Sequence, residues 1–145
     1  MNVFLDTSVL VAALVQDHPH HGPAVALLVA AKAKKIQACI SAHALAELYA
    51  VLTRTPLDPP IYPAEARQMI EQTVLPLVDV VALSATEYRR VMAECADAGW
   101  TGGAIYDAIH LRVAQKAGCE RLYTFNVRHF RALASEAFRG RISAP

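Results

Sequence analysis

Apolar positions along the chain fall into short continuous runs separated by longer stretches with helical spacing. Val3 to Leu5 is a β-prone apolar run, and "IQACI" (36–40), "LVDVVAL" (77–83) and "RLYTF" (121–125) are three more of that kind. Between them the spacing predicts helices. One runs from Val9 to Val15 behind Thr7 or Ser8 as its cap, stopped near "DHPHHGP". The next covers 23–34 with Lys32, Lys34 and Lys35 near its end, where the helix dipole favours cations. Ser41 caps a helix to Arg54, and 64–74 is helical after the proline-rich loop "TPLDPPIYP". Ser84 opens another helix, with Glu87 completing a capping box, and this helix ends before Gly99. A helix from Gly103 to Ala117, closed by Gly118, and a short one after "NVRHF" complete the pattern. Strands that alternate with helices, and that are apolar on both faces, predict a parallel sheet covered on both sides. The expected fold class is α/β, one domain over residues 1–145, with a central parallel sheet of four to five strands flanked by helices.

Composition narrows the function classes. With 54% hydrophobic and 19% charged residues in 145, the chain has the makings of a packed core rather than of a disordered segment. No apolar stretch reaches the ~18 residues of a membrane span, and the N-terminus lacks the basic and cleavage regions of a signal peptide, so the cytoplasm is the expected location. Cys39, Cys95 and Cys119 are odd in number and form no C-x-x-C pair, which reads as buried thiols rather than a disulfide framework or zinc ribbon. Net charge is only +1, but it is unevenly distributed. Residues 101–145 carry seven Lys or Arg against three acids, and residues 55–100 carry three against seven. One end could meet phosphate while the other repels it; ordinary solvated faces give the same count.

The acids are the candidate chemistry. In open α/β sheets, sites form outside the carboxyl ends of the strands near a topological switch point. Asp6 ends the first predicted strand, and Asn126 follows the fourth. Glu47 shares a helical stripe with His43, Ala44, Ala50 and Val51, and Asp107 shares one with Ala104, Ala108, Leu111 and Ala114. Taken singly, each acid reads as a cap partner or a surface group. Taken together, three carboxylates converging from separate elements would repel one another, and a hard divalent cation with oxygen ligands would relieve this.

Four stretches, "FLDTSVLVA", "ALAELYAVLTR", "GGAIYDAIHLRVA" and "LYTFNVRHF", resemble in order and spacing the PIN-domain ribonucleases, particularly the VapC-type toxins of bacterial toxin–antitoxin pairs. The resemblance implies an endoribonuclease that cuts single-stranded or loop RNA with Mg²⁺ or Mn²⁺, leaving a 5′-phosphate and a 3′-hydroxyl. Asp6, Glu47 and Asp107 match the family's three principal acids. Asn126 stands where a fourth acid is frequent, and His129 where a further one sometimes occurs. Asn adds no negative charge, so one well-bound metal is expected, with a second weak or dependent on substrate phosphate. The resemblance also implies a small antitoxin that inserts a basic side chain near the acids, and a homodimer for which "VLVAALV" and "VALLVAA" could supply the surface.

Around this set, Ser8 is a candidate to orient a metal water, and equally a helix cap. Gly102 and Gly103 offer backbone N–H groups to a phosphate or form a plain turn. Arg112, Lys116, Arg128 and Arg131 are candidate RNA-backbone contacts, with surface solubility as the alternative. His18, His20 and His21 lack zinc-ligand spacing and read as a solvated loop open to antitoxin or RNA contact. His43 sits four residues before Glu47 and can bond it, and Trp100 either stacks on a base or packs the helix entrance. The alternative function is a PIN-fold RNA- or protein-binding module impaired in catalysis.

Overall fold

The computed structural model describes residues 1–145. Its elements are β1 (Asn2–Leu5), α1 (Thr7–Leu14), α2 (His21–Lys32), β2 (Gln37–Ser41), α3 (Ala42–Arg54), α4 (Pro63–Met69), β3 (Val78–Val81), α5 (Ala85–Ala98), α6 (Ala104–Lys116), β4 (Arg121–Tyr123), α7 (Val127–Leu133), α8 (Glu136–Arg139) and β5 (Ile142–Ser143). The five strands form one parallel sheet in the order β3-β2-β1-β4-β5. No helix is long and apolar enough to cross a membrane.

Side-chain alternation along the strands divides the interior in two. Val3 and Leu5 of β1, with Ala38 and Ile40 of β2, face a core completed by α1 to α4. Phe4, Cys39 and Leu122 point the other way, into a core with α5 to α8. Right-handed crossovers account for this division. The connection from β1 through β2 to β3 travels one way along the sheet, and from β4 to β5 the other, so the helices fall on opposite faces. The reversal lies between β1 and β4, which makes the carboxyl ends of these two strands the switch point.

Most predicted elements form, with shifts that have physical causes. Helix α2 starts at His21 rather than Pro23, because a proline in the first turn loses only an orphan N–H. The predicted 64–74 helix starts at Pro63 and relaxes into a π turn (Ile70–Val74) and a 3₁₀ turn (Leu75–Leu77). Gly99 and Gly118 end α5 and α6 with φ of +73° and +66°, which glycine adopts without strain. The predicted final helix is instead two: α7 begins inside "NVRHF" at Val127, and α8 follows from Glu136. The two-residue β5 is too short for any periodicity to announce it. Ser41 caps α3 by accepting from the Ala44 N–H, as expected, while Asp6 and not Thr7 or Ser8 is the N-cap residue of α1. The three cysteines are free and buried.

Phe4 is fully buried at the centre of the sheet. Phe4→Ala is expected to cost about 3–5 kcal/mol, read as a lower urea midpoint with an unchanged slope.

Candidate active site

Asp6 follows the last residue of β1 and is almost wholly buried, at 3% exposure. Its backbone N–H donates to the Tyr123 carbonyl at 3.0 Å, which continues the β1–β4 pairing by one step. Oδ2 of its carboxylate accepts from the hydroxyls of Ser8 (2.7 Å) and Thr124 (2.8 Å). Ser8 Oγ also accepts the Phe125 N–H at 3.1 Å, and Thr124 Oγ1 accepts the Asn126 N–H at 2.9 Å. Ser8 therefore caps nothing; it and Thr124 stitch the end of β1 to the loop after β4, and between them they hold one carboxylate oxygen. Thr124, which the sequence pattern places inside a strand, is thereby a positioning residue for Asp6.

Glu47 projects from α3 with its side chain 30% exposed. Its Oε1 accepts from His110 Nε2 at 2.6 Å and lies 3.2 Å from His43 Nε2. His110 is completely buried, and its Nδ1 is bonded to Ser41 Oγ at 2.8 Å. Asp107 projects from α6, one turn before His110, and its Oδ2 lies 3.5 Å from His129 Nδ1 on α7. Asp6, Glu47, Asp107 and Asn126 all line one open cleft of about 460 Å³, together with Thr7, Ser8, His18, His20 and Phe125. No lysine or arginine lines it.

Like charge and burial show in the titration of these groups. Burial, then the neighbouring Asp6 charge, raises the Asp107 carboxyl above its ordinary value, against the opposing pull of His129 and His110. Burial works against a charged His110, but the bond to Glu47 and the charges of Asp6, Glu47 and Asp107 outweigh it and raise its pKa. The chain thus supplies, in His110, an imidazole partner to the acids where no Lys or Arg stands. The signal was present in sequence: His110 lies three residues beyond Asp107, on the same side of the helix.

Other predicted contacts lie elsewhere. Arg112 pairs with Glu94 on α5 at 2.7 Å, and Lys116 bonds Glu87 (2.7 Å) and the Ala82 carbonyl (2.9 Å), which braces α6 against α5. Arg131 donates to the Ile142 carbonyl at 2.8 Å. All three cations are engaged within the fold and lie outside the cleft lining. Gly103 is the exposed N-cap residue of α6, one turn ahead of Asp107 but outside the cleft lining. Arg128 is exposed on α7, one position before His129. Trp100 is half-buried against the α5–α8 core.

The cleft offers oxygen donors of the kind a hard cation takes: three carboxylates, the Asn126 amide and the buried Thr7 hydroxyl, which has no hydrogen-bond partner. No three acidic, histidine or cysteine side chains converge closely enough to hold an ion among themselves. That departs from the expected convergence of the three carboxylates on one cation. Mg²⁺ needs only one or two protein carboxylates, completing its shell with waters and other oxygens, so this donor set still fits it.

The PIN-domain family model matches residues 3–136. This chain belongs to the PIN-domain family. Among PIN-domain relatives, it is 38% identical over 107 residues to the ribonuclease VapC27 of Mycobacterium tuberculosis, covering 72% of this chain and 71% of that one. The fold matches VapC20 of the same species, a toxin that cleaves the sarcin–ricin loop, with a TM-score of 0.67 at 22% identity over 92% of this chain and 97% of that one. It also matches VapBC2 of Rickettsia felis, solved on a DNA fragment from its promoter, with a TM-score of 0.63 at 21% identity over 91% and 92% of the two chains.

Both raised pKa values carry the same sign for stability in the absence of metal. The His110 contribution is fully present below its ordinary value of 6.5 and is lost as pH rises through the higher folded value. The PIN domain likewise favours a protonated Asp107, so stability falls as pH rises from the ordinary 3.8 through the folded value. Asp107→Asn is expected to raise the Tm of the metal-free protein at neutral pH and to flatten the decline on the acid side. A Tm unchanged or lowered across pH 4–8 would contradict the repulsion described here.

Proposed function

We propose that this PIN domain is a divalent-metal-dependent endoribonuclease, and the toxin of a VapBC-type pair acting in the cytoplasm. The observation that carries the reading is the gathering of Asp6, Glu47 and Asp107 around one cleft that no Lys or Arg neutralises, at the switch point of the sheet. The relatives named as ribonucleases support RNA as the substrate.

Asp6 and Asp107 are the residues that would hold the ion, since their charges already act on one another, and Asn126 would add a neutral carbonyl oxygen. A bound Mg²⁺ or Mn²⁺ would acidify water and offset the charge that develops on the phosphate. Glu47 is placed differently. His110 and His43 occupy its Oε1, which fixes the carboxylate and leaves Oε2 free to take a proton from attacking water. His129, 76% exposed beside Asp107, stands where it can donate to a phosphate oxygen. Hydrolysis in line would leave a 5′-phosphate and a 3′-hydroxyl.

An acidic cleft without an internal Lys or Arg also suits a partner's basic side chain, which supports a small antitoxin. For self-association, α1 offers little: Val9, Leu10, Ala12 and Ala13 are consumed by the core. On α2, exposed Val29 and half-buried Val25 remain, so a homodimer would use that helix. The neutral Asn126 is the one feature that favours the alternative, a binding module impaired in catalysis.

Incubation of pooled cellular RNA with Mg²⁺, followed by 5′-end sequencing, is expected to show discrete cuts with wild type and none with Asp107→Asn or with EDTA. Mn²⁺ at a hundred times its Kd is expected to stabilise wild type by about 2.7 kcal/mol and to do little for Asp6→Asn. Identical RNA profiles and no metal-linked stabilisation would favour the binding module.

A further inference from the structure

Two of the three loop histidines, His18 and His20, have partners that neither the fold nor the proposed hydrolysis uses. His21 turns inward, its Nδ1 2.9 Å from the Ala12 carbonyl, and closes the α1–α2 turn. His18 and His20 turn the other way, to Phe125. The His20 ring stacks on the Phe125 ring at 4.5 Å between centroids and 15° between planes. His18 completes the group, 6.4 Å from Phe125 and 5.8 Å from His20. The His20 N–H donates to His18 Nδ1 at 3.0 Å, which ties the two rings into one turn. Phe125 is fixed in turn by its own N–H on Ser8 Oγ, the hydroxyl that holds Asp6.

All three rings line the acidic cleft. His20 is exposed, so its stacking on Phe125 is not demanded by core packing. In a single strand of nucleic acid, every phosphate is flanked by bases with two open faces, and stacking on aromatic side chains is tolerant of base identity. A flat, polar-edged ring system directly beside a phosphate-handling cleft matches such a base better than it matches an aliphatic protein segment. The other aromatic pair near the acids, His43 on Tyr106 at 4.9 Å, is already engaged through His43 in fixing Glu47.

We propose that His18, His20 and Phe125 form a nucleobase subsite that stacks a base next to the scissile phosphate of single-stranded RNA. The subsite rests on the nuclease reading, and it adds a physical requirement: the base must leave its own stack, so a paired stem is excluded.

The probe is an unstructured single-stranded 12-mer RNA and a set of the same oligomers with one abasic site at each position. Binding is measured by fluorescence anisotropy in Ca²⁺, and cleavage of the parent oligomer separately in Mg²⁺. Wild type is expected to lose about tenfold in affinity at one abasic position, the size of one base–aromatic stack. His20→Ala is expected to bind the parent about tenfold more weakly and to be indifferent to that position. Phe125→Leu, which keeps bulk but removes the aromatic face, should behave alike, with melting curves to show that both fold. Cleavage of the parent with no abasic sensitivity in wild type, or with full sensitivity kept in His20→Ala, overturns the subsite alone and leaves the rings to a protein partner. Absence of both binding and cleavage overturns the subsite together with the nuclease reading.

Discussion

A buried carboxylate at the end of the central strand is the constraint around which this domain is organised. Asp6 has almost no access to solvent, and a carboxylate in that position costs several kcal/mol unless it is hydrogen-bonded. The chain meets the requirement with two hydroxyls from opposite ends of the sequence, Ser8 and Thr124, on one oxygen. The same hydroxyls satisfy the N–H groups of Phe125 and Asn126, so the loop after β4 is held wherever Asp6 is held. The candidate site and the fold therefore share these bonds. The residues that aim the carboxylate also close the sheet at its switch point.

The cleft is kept in a state of electrostatic imbalance by design of its surroundings. His110 and His43 lie against Glu47, and His129 beside Asp107, so the acids meet imidazoles rather than Lys or Arg. The histidines come from α3, α6 and α7. Burial of His110 matters here, because an exposed imidazole would be screened, whereas this one is bonded at both ring nitrogens and cannot turn away. The imbalance that remains is a cost in stability borne at the candidate site, with no Lys or Arg of the chain to relieve it.

Much of this was legible in the sequence. Each of the four longer strands is an apolar run, and their alternation with helices leaves little choice but a covered parallel sheet. Asp6, Glu47 and Asp107 stood out because a carboxylate is conspicuous among alanines and valines. What escaped detection was neutral or ambiguous by type. Thr124 sits in "LYTFN", where a threonine fits a strand as well as a loop. His110 sits among Ile109, Leu111 and Val113, where an imidazole reads as core. Arg112 and Lys116 could not be placed by type alone: their charge suggested RNA, while in the fold they pair with Glu94 and Glu87 of another helix. Pairings of that kind depend on tertiary geometry, which periodicity does not encode.

The sheet order also bears on how the molecule comes into being. The first strand made is the middle strand, flanked on one side by β2 and on the other by β4, whose register joins Val3 to Arg121. On a ribosome, β1 can pair with β2 early, but its second edge stays open until the chain has been synthesised past residue 123. Thr124, the second hydroxyl on Asp6, arrives later still. A nascent chain thus carries Asp6, Glu47 and even Asp107 without a formed cleft, and the complete site exists only when synthesis of the fold is almost finished.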